Sequence, residues 1–476
     1  MEVSEYVEHD ATGLARLIST GQVSADDVQL AAVRSIEAVN PELNAIVAEP
    51  FGEALAYSTE GPFAGVPFLI KDLVLHAEGV PTRAGSRMTG EGIPFPYDTD
   101  LMARFRSAGL ATLGRTTTPE FGFNASTEPV LTGPTRNPCD SSRSPGGSSG
   151  GSGAMVAARA VPVPHANDGG GSIRIPAAVN GLVGLKPTRG RVSLGPDFGE
   201  ALNGAAVEFA VTRTVRDCAA LLDAVHGPGV GDKYSAAPPA HPFAEEVGTP
   251  PGNLKIAFTT EAWSGAPVGP ECVRAVEGLA ALLEELGHDV TEASPDVDVA
   301  TFDRANTRVW FAFLAASVAT FVQVTGNEPS HDNLEATTLA CSEAGTKLTA
   351  LEMMEADALQ NQVTRAVGRW FVDYDVLLTP TLAHATFPIG LLDANDSSLD
   401  AKGWYDKIFL HAPFTALFNM TGQPAMSVPV MATAEGGPVG TQLVARFGDE
   451  ATLIRLAAQL EMARPWAERK PAVCAG

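Results

Sequence analysis

An α/β sandwich built on a mixed β-sheet is the fold class this chain predicts, on three observations. Helical patterns alternate with short apolar strands along most of its length. Between Leu254 and Val290 a strand, a helix ended by Gly287 and a second strand follow one another, a βαβ pattern. The composition, 45% hydrophobic and 18% charged over 476 residues, is that of a globular protein able to bury a large core. No internal repeat is present.

Taken in order, Leu14, Leu17 and Ile18 share one helical face and Gly21 can end that segment. Ser24-Ala25-Asp26-Asp27 reads as a capped helix start, and Val28, Ala32, Ile36 and Val39 continue it until Asn40-Pro41 is expected to stop it. Leu43 to Val47 and Val66 to Ile70 read as strands, the second delivering Lys71 at its end. A helix between Asp98 and Gly114, with Leu101, Phe105 and Ala108 on one side, feeds the strand Ala111-Thr112-Leu113. Arg213 to Val225 is helical, and the proline-rich Ala236 to Pro242 marks a surface crossing. Leu254 to Phe258 is a strand, Pro270 to Leu286 a helix and Val290 the centre of a strand. Thr301 to Asp373 is helical, Val376-Leu377-Leu378, Ala425 to Val430 and Val439 to Val444 are strands, and Leu453 to Leu460 closes the chain as a helix.

Acidic residues outnumber basic ones 56 to 32, a net charge of −24 that repels phosphate backbones and argues against nucleic-acid binding. Five cysteines without a CxxC pair read as free thiols in a reducing compartment and give no support to a metal site. The N-terminus has no basic region followed by an apolar core, so no signal peptide is expected. The longest apolar run, Val309 to Val322, falls short of the ~18 residues of a spanning helix and is expected to be buried. A cytoplasmic protein with no membrane partner is the expectation. Assembly is open, a homodimer included.

The stretch from Ser144 to Pro176 is the one the rest is organised around. It carries two glycine-serine clusters, Gly146 to Gly153 and Gly169 to Ser172. Glycine opens backbone N–H groups to a ligand and weakens helices, so these clusters are expected to serve something other than packing. A flexible linker conflicts with the apolar Ala154 to Ala158 between them. A P-loop fails because Gly151 is followed by Ser152-Gly153 and not by Lys-Ser/Thr. No dinucleotide fingerprint fits. Gly146 to Gly150 formally satisfies the G-x-S-x-G nucleophile elbow, with Ser148 attacking, but the polar Cys139 to Pro145 is a poor match to the buried strand that motif requires.

The stretch resembles the signature of the amidase signature family, GGSSGGS followed by D-x-GGS-I-R-x-P. Other landmarks of that family recur in order: Gly65-Val66-Pro67 running to Lys71-Asp72, Gly114 to Phe121, Gly133 to Pro138, Gly181 to Thr188 and Gly422 to Ala425. The resemblance spans nearly the whole chain. It implies a single amidase-signature domain over 1–476, with a mixed sheet covered by helices on both faces. Within it lie an N-terminal helical segment (1–60), a catalytic core (61–230), a βαβ and helical substrate-facing elaboration (231–400) and a C-terminal return to the core (401–476). The resemblance further implies that Ser172 is the nucleophile, that Ser148 forms a cis peptide and relays protons, and that Lys71 is the base. No metal or organic cofactor is implied. Pro164 and Asn167 stand where the family is expected to have a small residue and usually a hydroxyl, a departure expected to leave the triad untouched.

The chemistry can be argued from the residues as well. An amide carbonyl is a poor electrophile, so its hydrolysis needs an activated nucleophile, an oxyanion site and a proton for the leaving nitrogen. Ser172 offers a hydroxyl, and the N–H groups of Gly169, Gly170, Gly171 and Ser172 itself are candidates for the oxyanion hole. Of nine histidines only His165 lies near, and a structural role suits it better. Lys71 sits in an apolar setting that favours the neutral amine, although neutrality at pH 7 requires about 4–5 kcal/mol of destabilisation of its cation. The plainer alternative is a lysine at a strand end pairing with Asp72. Asp168 and Arg174 read as an ion pair anchoring the nucleophile loop, and the family resemblance implies Asn124, Thr127 and Ser149 as pocket residues. An amidohydrolase working through a Ser172 acyl-enzyme is the function expected. The segments Gly65 to Asp72 and Gly181 to Arg191 resemble those of nylon-oligomer hydrolases and aryl or aliphatic amidases. The alternatives are a urethane hydrolase, a glutaminase like the one within glutamyl-tRNA amidotransferase, an elbow-type esterase using Ser148 and a non-catalytic binding protein.

Overall fold

The computed structural model describes residues 1–476. Ten strands form one mixed sheet: β1 Pro67–Lys71, β2 Ala111–Thr116, β3 Val163–Asp168, β4 Val183–Lys186, β5 Val207–Thr212, β6 Lys255–Phe258, β7 Asp289–Glu292, β8 Val376–Pro380, β9 Ala425–Ala432 and β10 Pro438–Ala445. Their order across the sheet is β2-β1-β3-β5-β4-β9-β10-β8-β6-β7. The β2-β1-β3 and β8-β6-β7 groups are parallel, and the strands between them pair antiparallel. The parallel β6 and β7 are joined by the helix Pro270–Glu285, as the βαβ pattern predicts.

Three departures from the sequence reading have local causes. The helix Ala25–Leu43, capped by Ser24, does not stop at Asn40-Pro41. Proline forfeits only one hydrogen bond in the last turn, while Leu43 is fully buried and the Asn40 Oδ1 accepts from the backbone of Ala45 and Ile46. The following residues therefore make only an isolated bridge, Ile46 to Thr116, where a strand was expected.

The first glycine cluster continues into an α-helix, Gly150–Ala157. A Cβ on Gly150 would stand 2.3 Å from Thr127 Oγ1, and one on Gly151 2.5 Å from the Thr117 nitrogen. These glycines do serve packing: they bring the helix nearer its neighbours than any side chain allows.

The Val309 to Val322 run lies in the helix Val299–Thr325, which is long and apolar enough to span a membrane by length and composition. It is not buried all round. Val309, Trp310, Phe311, Leu314 and Val318 face inward, whereas Ala316, Ala319 and Thr320 are exposed. The inward stripe packs with Phe121, Phe123, Ile175, Leu202, Trp404 and Tyr405 in a second apolar core. The helices Ala336–Gly345 and Ala350–Trp370 pack against it and complete this elaboration.

Candidate active site

Strand β1 lies between β2 and β3 and ends at Lys71, which is completely buried. Its Nζ lies 2.6 Å from Ser148 Oγ and donates to Asn167 Oδ1 at 2.5 Å. The Asn167 Nδ2 in turn donates to the Leu73 carbonyl at 3.0 Å, which sets the amide's orientation. Asp72 pairs with Arg115, so the ordinary strand-end partner is engaged elsewhere. Burial pulls the Lys71 pKa down to about 7, and the negative charges of Glu208 and Asp168 oppose that fall. The peptide bond between Gly147 and Ser148 is cis.

Ser172 follows β3 in the turn that leads into the helix Arg174–Asn180. No hydrogen bond joins it to Ser148, but both line a cavity of about 400 Å³ with Asn167, Gly169, Leu73, Leu202, Glu208 and Trp310. A second hollow meets the first at Ser172 and is walled by Phe123, Asn124, Gly170, Trp310, Ile408 and Phe409. The backbone N–H groups of Gly169, Gly170 and Ser172 make no hydrogen bond within the protein. That of Gly171 donates to Asp168 Oδ1 at 2.7 Å, which removes it from the expected oxyanion set. Gly171 has φ +139°, and a Cβ there would meet Thr415 Oγ1 at 2.5 Å, so its role is to let the loop turn.

A buried lysine contacts one serine, a second serine stands beside N–H groups without a partner, and relatives of known class match this chain across their length. Residues 27–454 match the family model described as Amidase. The chain belongs to the amidase signature family. It is 39% identical over 480 residues, 97% of this chain and 96% of the relative, to the 6-aminohexanoate-cyclic-dimer hydrolase of Paenarthrobacter ureafaciens. It is 34% identical to an acylamidase of Rhodococcus erythropolis, covering 97% of each chain. The solved structure of a 6-aminohexanoate cyclic dimer hydrolase superposes with a TM-score of 0.92 at 37% identity, covering 98% of this chain and 99% of that one. The amidase signature fold and an amidohydrolase activity on C–N bonds other than peptide bonds follow.

In this amidase the loop that carries Ser172 is held from beneath. Arg174 Nε and Nη2 form a forked pair with Asp168 at 2.9 and 2.8 Å, both side chains fully buried. Asp168 also accepts from the backbone of Gly171 and Ile173, and Asn419 Nδ2 donates to it at 2.8 Å. Burial would raise the Asp168 carboxyl, but the Arg174 charge and these donors hold it at about 2. Arg174 is further tied to Thr415, Gln442 and Asn419.

Asn124 lines the second hollow, but Thr127 and Ser149 do not reach either. Thr127 Oγ1 donates to the Gly146 carbonyl and accepts from Gly150, bracing the glycine loop. Ser149 Oγ bonds the backbone of Asn167. Hydroxyls next to glycine turns satisfy the backbone that the turns leave unpaired. The Asn167 departure does reach the expected triad, since this side chain touches Lys71 directly.

Glu208, Trp310 and Asn419 were missed by sequence reasoning. Glu208 is placed by register: antiparallel pairing sets it directly opposite Asn167, so both side chains leave the same face of the sheet. Its only hint in sequence is a lone carboxylate inside the apolar Val207 to Val211 strand.

Proposed function

We propose that this enzyme hydrolyses small-molecule carboxamides through a Ser172 acyl-enzyme, with Ser148 as proton relay and Lys71 as base. The contact of a buried Lys71, its pKa near 7, with Ser148 Oγ carries this reading. A neutral amine can take the Ser148 proton while Ser148 takes that of Ser172, and Ser172 Oγ then bonds to the carbonyl carbon. The free N–H groups of Gly169, Gly170 and Ser172 offer donors to the oxyanion. On collapse the C–N bond breaks, and the proton held by Lys71 returns through Ser148 to the leaving nitrogen. Water repeats the sequence on the acyl-enzyme and releases the carboxylic acid.

The apolar walls of both hollows and the likeness to 6-aminohexanoate-cyclic-dimer hydrolases support aliphatic or lactam-derived amides as the substrate class. Small carbamates present the same carbonyl and fit the same chemistry. Five unpaired cysteines support a reducing, cytoplasmic setting. The test is a panel of anilides, aliphatic amides, lactam-derived oligomers and small urethanes given to the purified chain alone, with mass spectrometry of the trapped acyl group. An acyl adduct on Ser172 is expected. Labelling at Ser148, or a requirement for other protein components, overturns the reading.

A further inference from the structure

The two hollows that meet at Ser172 differ in one respect. The second has no charged residue on its wall, whereas the first has two carboxylates, Asp168 and Glu208. Asp168 is spent on Arg174. Glu208, only 4% exposed, has no such partner. Its Oε2 lies 2.5 Å from His165 Nε2, its one side-chain hydrogen bond, and the carboxylate lines the first hollow with its other oxygen unengaged. His165 Nδ1 accepts from the Lys71 backbone N–H at 3.3 Å, so the ring proton sits on Nε2 and is donated to Glu208. In this arrangement the ring gives Glu208 a single hydrogen bond and engages only one of its two oxygens. Beyond Glu208 a smaller hollow shares both Glu208 and Val74 with the first and has Asp197 on its wall, so the negative field continues.

A buried carboxylate with a free oxygen facing an apolar substrate cavity is costly unless a cation comes to it. We propose that Glu208 is an ammonium-binding subsite, selecting amides whose chain ends in a primary ammonium, such as ω-aminoacyl compounds. The proposal rests on the amidase reading of the same cavity. Apolar Leu73, Val74, Leu202 and Phe313 receive the methylene chain, and Glu208 receives its charged end. The other role open to Glu208 is counter-charge to Lys71. That role affects every substrate equally, so a ratio of matched substrates separates the two.

The experiment compares 6-aminohexanoyl with hexanoyl 4-nitroanilide, and N-acetyl-1,6-diaminohexane with N-hexylacetamide, so that the ammonium is placed in turn on the acyl and the amine side. In one of the two pairs kcat/KM is expected to favour the ammonium member on the order of tenfold or more. Glu208→Gln, which keeps an acceptor for His165, is expected to abolish that preference. The same comparison is made without turnover, as the Kd of 6-aminohexanamide against hexanamide in Ser172→Ala. Absence of a preference in both pairs and in Kd, or a preference that survives Glu208→Gln, overturns the subsite. Hydrolysis of the neutral members, lost in Ser172→Ala, tests the amidase reading separately.

Discussion

Asn167 Oδ1 accepts a hydrogen bond from Lys71 Nζ while Ser148 Oγ stands 2.6 Å from the same nitrogen. An amide oxygen can only accept, so it engages an N–H of the amine and leaves the lone pair free to face Ser148. Asn167→Asp places a carboxylate there and stabilises the ammonium form. With Lys71 as the base proposed above, the acid limb of kcat/KM is expected near 7 in the wild type and higher by at least about one pH unit in this variant. An unchanged limb shows that Lys71 is not the group being titrated.

Ser172→Ala and Lys71→Ala are each expected to lower kcat by about three orders of magnitude or more. Circular dichroism should show both variants folded, since neither side chain anchors the loop that carries the nucleophile. Full activity in Lys71→Ala removes the base from the mechanism, and with it the whole proton path.

The Asp168–Arg174 pair makes a stability prediction independent of catalysis. Asp168→Asn leaves the Arg174 guanidinium buried without its anion, a loss of about 3–5 kcal/mol in denaturant unfolding. The folded carboxyl titrates at about 2, below its ordinary 3.8. Its contribution is therefore present above about pH 4 and lost as pH falls through about 2, amounting to roughly 2 kcal/mol. A wild-type stability curve flat from pH 4 to 2 contradicts that assignment.

The parts of the site legible in sequence are those whose chemistry is local. The apolar run Val66 to Ile70, opened by Gly65, announces a buried strand, and that strand delivers Lys71 to the interior. Glycine runs announce backbone that something must approach closely, but not what approaches. Gly169 and Gly170 line the hollows with N–H groups that make no hydrogen bond, whereas at Gly150 and Gly151 it is Thr127 and the Thr117 backbone that press in. The same local signal misplaced Thr127 and Ser149, whose hydroxyls turn to the backbone. Glu208 and Asn419 were illegible because sheet register and tertiary packing bring them to the loop from elsewhere in the chain.

Trp310 joins the helical elaboration to the chemistry. It stacks on Phe123 with ring centroids 4.4 Å apart and lines both hollows, so it stands between the two arms of any substrate bonded to Ser172. Nothing in the Lys71, Ser148 and Asn167 contacts depends on it. Trp310→Ala merges the hollows and removes a wall from each. The expected result is a rise in KM for small aliphatic amides of about tenfold or more, from lost apolar contact, with bulkier anilides affected less. The acid limb near 7 should stay where it is, because the environment of the amine is unaltered. A shift of that limb would place Trp310 in the burial that keeps Lys71 neutral, and the elaboration would then govern the base as well as the choice of substrate.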